Sequence, residues 1–211
     1  MKLLIAGASG LVGGHLLRQA LEDARVEAVV APVRRALPVH PKLHAPVVDF
    51  DALPATAGWW RVDAVACALG TTMKAVGGSR EAFMRVDHGY PLALARIARA
   101  HGVPAWVLNS AMGADADSRF FYNRVKGELE RDLRGLGFPS LTLVRPGLIG
   151  GVRTDSRGGE RAALHVLGVL RPVLPRAWRI NPAARVAAAM LEAALAATPG
   201  EAVVGSAALA G

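Results

Sequence analysis

At 211 residues the chain has the length of one α/β domain with a full core, and is short for a second domain of normal size. Its hydrophobic content of 52% excludes disorder, and no uninterrupted apolar run reaches the roughly 18 residues of a membrane span. The formal charge of +8 comes mostly from scattered arginines, and with aromatics at 5% the pattern of a basic, ring-lined nucleic-acid groove is missing.

The chain opens on the stretch that organises the rest. Residues 3–6 form an apolar run short enough for one buried strand, which breaks at Gly7. Gly10 and Gly13 follow at three-residue spacing, and Leu16, Leu17, Ala20 and Leu21 then recur at helical period. A strand entering a helix through a glycine turn is the setting of a dinucleotide phosphate site. Here Gly7 allows the sharp turn, Gly10 lets backbone N–H groups approach a pyrophosphate, and Gly13 lets the helix pack close to the strand. Gly7, Ser9, Gly10, Leu11, Val12 and Gly13 are therefore cofactor-binding candidates, against the plainer alternative of a helix start with no ligand.

Residues 26–33 read as a second strand ending at Arg34 and Arg35. After a proline-punctuated stretch, Val47 and Val48 read as a short third strand, followed by Asp49 and Phe50. Residues 62–68 form the fourth strand, which runs into Leu69, Gly70 and Thr71. A helical pattern after Ser79 breaks near Asp87, which is placed to cap a second helix running to His101, with Pro91 in its first turn. Residues 104–109 are the fifth strand, Ser118 caps a helix to about Leu136, and residues 141–144 are the sixth strand, stopping at Arg145, Pro146 and Gly147. A further helix is expected from about Glu160. Asn181 and Pro182 take the N-cap and N1 positions of a last helix to about Ala197, and residues 201–204 form a final strand. Strands alternating with helices imply one doubly wound α/β domain with a parallel sheet, whose ligand lies at the C-terminal ends of the strands.

The chemistry-bearing pair is Tyr122 and Lys126, a phenol and an ammonium at i and i+4 on one helix face. A neighbouring cation favours the phenolate, and such a tyrosine can exchange a proton with a carbonyl or alcohol oxygen. Ser110 follows the fifth strand and can hydrogen-bond the same oxygen, and Lys126 can also reach a nicotinamide ribose. The plainer alternative is a tyrosine on an amphipathic helix beside a solvated lysine. Arg34 and Arg35 lie about twenty residues past the glycine turn, where a guanidinium suits a 2′-phosphate, although two surface arginines would look the same. Asp49 and Phe50 either flank adenine or form a strand-end turn. The single cysteine, Cys67, reads as a small buried strand residue and excludes an internal disulfide. The six histidines have no metal-ligand spacing, so no metal is expected. With no signal-peptide pattern, the expected location is the cytoplasm.

Taken in order, these segments resemble an atypical short-chain dehydrogenase/reductase, nearest to the NAD(P)-binding Tat-interacting-protein-like branch and close to the NmrA-like and epimerase/dehydratase-like groups. The residues that carry the resemblance are Gly7 to Gly13, Arg34 and Arg35, the Cys-Ala-Leu-Gly-Thr-Thr run from Cys67, Arg85-Val-Asp87, Asn109 and Ser110 with Gly113 and Ala114, the Tyr-Asn-Arg-Val-Lys-Gly-Glu run from Tyr122, and Val144-Arg-Pro-Gly147. The resemblance implies a Rossmann-type domain binding NADP(H), with NAD(H) second. It also implies catalytic roles for Ser110, Tyr122 and Lys126 and a small substrate cap over about residues 148–180, while the strand-end rule by itself adds Leu69, Gly70, Thr71, Pro146 and Gly147 as cofactor contacts. The leading expectation is an oxidoreductase acting on a small carbonyl or alcohol, with a homodimer allowed. The alternatives are a redox-sensing or regulatory NADP(H) binder and an epimerase or dehydratase.

Overall fold

The computed structural model describes residues 1–150 and 179–210. Strands β1 (Lys2–Ala6), β2 (Ala28–Val30), β3 (Leu43–His44), β4 (Ala64–Cys67), β5 (Ala105–Asn109), β6 (Ser140–Arg145) and β9 (Gly200–Gly205) form one sheet in the order β3-β2-β1-β4-β5-β6-β9. Every pairing in it is parallel. Parallel strands covered on both faces must be apolar throughout, which is why Leu3 to Ala6 and Ala64 to Cys67 are fully buried runs with no polar alternation. Helices α1 (Leu11–Glu22) and α5 (Ala183–Ala196) cover one face, where Leu3 and Ile5 meet Leu16, Val186 and Met190. On the other face lie α3 (Tyr90–Ala100) and α4 (Phe121–Gly135), where Leu4 joins Leu94, Trp106, Leu129 and Leu133. Successive β1 residues thus serve opposite cores, as the two-residue strand period requires. The order reverses at β1, which lies between β2 and β4. The crevice beyond the C-terminal ends of β1 and β4 is therefore the topological switch point of the sheet.

The doubly wound parallel sheet is the architecture expected. Several local expectations need correction. The third strand is Leu43–His44, while Val47 makes only an isolated bridge to Val33, because pairing with β2 outweighs the β-propensity of two adjacent valines. Asp87 does not cap a helix start. Helix α2 (Arg80–Met84), which Ser79 caps through Ala82 N, runs without a break into a π-helical turn (Arg85–Gly89) and then α3. Asp87 sits inside that turn and is buried. Ser118 lies before α4, where its hydroxyl accepts from Phe120 N. Asn181 and Pro182 form β8, paired with β7 (Ile149–Gly150), and Pro182 itself holds the N-cap position of α5. A last short helix, α6 (Ser206–Leu209), follows β9. The helix expected from Glu160 and most of the expected substrate cap lie outside the described residues. Among the described residues, no helix is long and apolar enough to cross a membrane.

Candidate functional site

The glycine turn has the contacts its spacing calls for. Gly7 adopts φ +87°, and a Cβ there would come within 2.8 Å of the Ala68 backbone, so β1 turns directly against the end of β4. At Gly13 a Cβ would fall 2.0 Å from Gly7 O, so only glycine lets α1 lie this close to the strand end. Gly10 differs, since its missing Cβ would touch only Gly7 O, at 3.3 Å, and both Ser9 and Gly10 are exposed. The Gly10 N–H closes the turn onto Gly7 O, leaving the N–H groups of Leu11, Val12 and Gly13 as the first-turn donors of α1. No side chain caps this helix, and its first turn holds no acidic residue. The residues present thus fit a bound pyrophosphate, with oriented donors, open space and no competing carboxylate.

The second half of the site is the inner face of α4. Lys126 is buried, and its Nζ lies 2.7 Å from Asp87 Oδ1 in the π-helical turn. Burial draws the Lys126 ammonium down, but Asp87 and then Tyr122 push it back above its ordinary value. The other oxygen, Asp87 Oδ2, accepts from Thr71 N at 2.7 Å. Tyr122 is 43% exposed, with its ring edge-on to Phe83 and its centroid 6.0 Å from Lys126 Nζ. One turn further along α4, the buried Glu130 accepts from Ser110 Oγ at 2.5 Å and from Arg145 Nε at 2.9 Å, and pairs with Arg145 Nη2 as well. Gly127 lets the loop after β5 close on this helix, since a Cβ there would fall 2.1 Å from the Asp115 carbonyl carbon.

The loop after β4 joins the halves. Ala68 and Leu69 touch Gly7, and a Cβ on the next residue, Gly70, would lie 3.2 Å from Asp87 Oδ1 and 3.8 Å from Lys126 Nζ. Glycine turn, β4 exit and α4 face are therefore contiguous, as the strand-end rule requires. Arg34 and Arg35 are exposed, directly after the Val33–Val47 bridge that follows β2.

Other expected residues make internal contacts. Phe50 is 8% exposed and packs on Tyr90 at 5.6 Å between centroids, as part of the core. The Asp49 carboxylate accepts from Asp51 N, which is the strand-end turn. Gly147 N donates to Asn181 Oδ1 at 2.7 Å, and Pro146 O accepts from Met112 N at 2.7 Å, so this turn spends its polar groups internally. The Thr71 N–H is spent in the same way on Asp87. Ser110 gives its proton to Glu130, so toward a ligand its hydroxyl can only accept. Sequence reasoning missed Asp87 as a partner of Lys126 and missed Glu130 altogether, and it gave Gly127 and Asn181 no contact with the site. The one available signal was Glu130 itself, four residues beyond Lys126 on the same helix face.

A family model described as NAD(P)H-binding matches residues 7–195. The protein Fmp52 of Aspergillus clavatus is 34% identical over 213 residues, covering 96% of this chain and 90% of that protein. Fmp52 of Saccharomyces cerevisiae is 37% identical over 166 residues, covering 74% of this chain and 69% of that one. Both are named as mitochondrial proteins, which overturns the cytoplasmic expectation drawn from the lack of a signal peptide. Among solved structures, MoeE5 in complex with UDP-glucose and NAD superimposes with a TM-score of 0.73 at 20% identity, over 97% of this chain and 76% of that one. The oxidoreductase ylbE of Lactococcus lactis gives 0.69 at 19%, over 99% and 95%. Those two share the fold. With the family model spanning the glycine turn, the α4 pair and most of α5, the chain belongs to the NAD(P)H-binding family and is a relative of the fungal Fmp52 proteins.

Proposed function

We propose that the protein is an NADP(H)-dependent oxidoreductase of the short-chain dehydrogenase/reductase type, acting on a small carbonyl or alcohol with Tyr122 as the general acid–base. The observation that carries this reading is the exposed Tyr122 phenol one helical turn from the buried Lys126 ammonium, beside the loop that abuts the glycine turn. When bound, a nicotinamide would supply the hydride chemistry at the substrate carbon. Tyr122 gives the matching proton to the substrate oxygen, or takes it in the reverse direction, and solvent restores it through the exposed side of the ring. The first-turn N–H groups of α1 hold the pyrophosphate. Arg34 and Arg35 meet the 2′-phosphate of NADP(H) with paired, charge-assisted hydrogen bonds. Ser110 receives a hydrogen bond, from Tyr122 or from a substrate hydroxyl.

One observation favours a second reading, an NADP(H) binder without turnover. The Ser110 proton and one Lys126 N–H are already committed to internal carboxylates. The deciding experiment is calorimetry with NADPH, followed by a carbonyl and alcohol panel on the parent and on Tyr122→Phe. Turnover should fall by about two to four powers of ten with cofactor affinity kept. Parental turnover in Tyr122→Phe removes the mechanism, and tight NADPH binding with no turnover on any substrate leaves the second reading.

A further inference from the structure

We propose that Asp87 is a positioning residue that cancels the charge of Lys126 and so keeps Tyr122 protonated at neutral pH, poising the site to give a proton to a carbonyl oxygen rather than take one from an alcohol. The chemical consequence rests on the reading of Tyr122 as the acid–base group. The electrostatic claim stands on geometry alone.

A bare ammonium buried 6.0 Å from a phenol ring would pull hard toward phenolate. The Lys126 ammonium is not bare. Asp87 Oδ1 lies 2.7 Å from it, and the two side chains are 1% and 4% exposed, so what Tyr122 meets is a buried dipole and not a full positive charge. The carboxylate cannot swing away, because its second oxygen holds Thr71 N at 2.7 Å and the side-chain-free Gly70 lies against its first. The π-helical turn supplies this placement. It closes with Tyr90 N donating to Arg85 O, five residues back, and the widened turn carries Asp87 inward toward α4.

Among the described residues, the other ionisable groups around the pair are neutral, paired or exposed. Cys67 at the end of β4 is pushed up to about 11 by burial and is a neutral thiol at neutral pH. Glu130, next along α4, is paired with Arg145. On the π-helical turn, His88 pairs with Asp132 and Arg85 with Glu81. Arg80 and Arg124 lie over the Phe121 ring beside Tyr122, at 5.1 Å and 5.8 Å from its centroid, toward solvent where their fields are screened.

The test needs neither substrate nor cofactor. The chain has two tyrosines, so NMR titration of ring-labelled tyrosine in the full protein resolves Tyr122 once Tyr90→Phe assigns the other signal. The parent Tyr122 should remain protonated at neutral pH, as an unperturbed tyrosine does. Asp87→Asn, which keeps an acceptor for Nζ but removes the negative charge, should lower it by about one unit or more. The double variant Asp87→Asn with Lys126→Gln buries no net charge and should titrate within roughly half a unit of the parent. A parent value below neutrality, an unmoved Asp87→Asn, or a double variant about one unit or more above the parent overturns the inference. Should Asp87→Asn not fold, the double variant against the parent decides alone, since it leaves no buried charge unpaired. Failure of the oxidoreductase reading would look different, with tyrosine values as expected here and no turnover across the panel.

Discussion

Between Gly7 and Gly13 the site is made of backbone, with a turn, a close approach and a row of unpaired N–H groups, and its side chains matter chiefly by being small. Along the inner face of α4 it is made of buried charges, with Lys126 against Asp87 and Glu130 against Arg145 and Ser110. The first half is rigid because atoms are in contact, and what reaches it from far along the chain is backbone, at Ala68 and Leu69. The second half is rigid because each charge would be costly without its partner, and those partners come from the π-helical turn, β6 and the loop after β5. Substitutions should therefore fail differently in the two halves.

The largest stability loss is expected in the charged half. Glu130→Ala strips Ser110 and Arg145 of their shared acceptor, and should cost about 3 kcal/mol in denaturant unfolding. The low end of the range for broken buried pairs applies because Arg145 keeps 29% of its side chain in solvent. A loss below about 1 kcal/mol would mean that Glu130 is no support, and the comparison between the halves would break.

Next come the glycines, which should separate within one turn. Gly13→Ala forces a methyl group onto Gly7 O, and should cost about 2–3 kcal/mol in the same measurement because a backbone oxygen cannot yield. Gly10→Val faces open space apart from Gly7 O, so the fold should hold while NADPH binding, followed by calorimetry, is lost. If Gly10→Val binds NADPH like the parent, the phosphate site is elsewhere.

How much of this was legible in the sequence follows the same division. The glycine turn was readable because local geometry sets it, and so were β1, β4, β5 and β6, whose apolar runs answer to burial alone. Tyr122 and Lys126 were readable because helical spacing put them on one face. Asp87 was misread for a physical reason. A short acidic residue ahead of a helical pattern carries the same local signal whether it caps a helix or turns inward, and only Lys126, 39 positions later, decides between them. Ser110 was found, but the direction of its proton depends on Glu130. The burial of Phe50 depends on Tyr90, 40 positions later, which the strand-end position alone does not show.

A smaller effect is expected at the edge of the backbone half. Arg34→Asp should shift preference from NADPH toward NADH by about tenfold or more, since it removes a charge-assisted bond of roughly 1.5–3 kcal/mol. Equal affinities of the parent for both cofactors would remove the 2′-phosphate argument.

The smallest concerns pH. Lys126 has its folded value raised above the ordinary 10.5, so its contribution is fully present below that pH and is lost as pH climbs through the higher folded value. Unfolding midpoints should therefore decline on the alkaline side above about 10.5, and the Asp87→Asn, Lys126→Gln double variant should lack that component. An identical decline in both would assign it to other groups.

The π-helical turn at Arg85–Gly89 also bears on how sequences like this one can change length. A π turn holds one residue more than an α-helix needs, so deleting a single codon within it would yield an unbroken α-helix through α2 and α3. The cost would be local. Because the wide turn absorbs its extra residue, Phe83 and Leu94 would keep their places in the core, while the bulge that carries Asp87 inward toward Lys126 would be lost. Aligned sequences that lack this residue would be expected to have changed the lysine or its partner as well, which makes a one-residue gap here a marker of altered chemistry rather than of a variable loop.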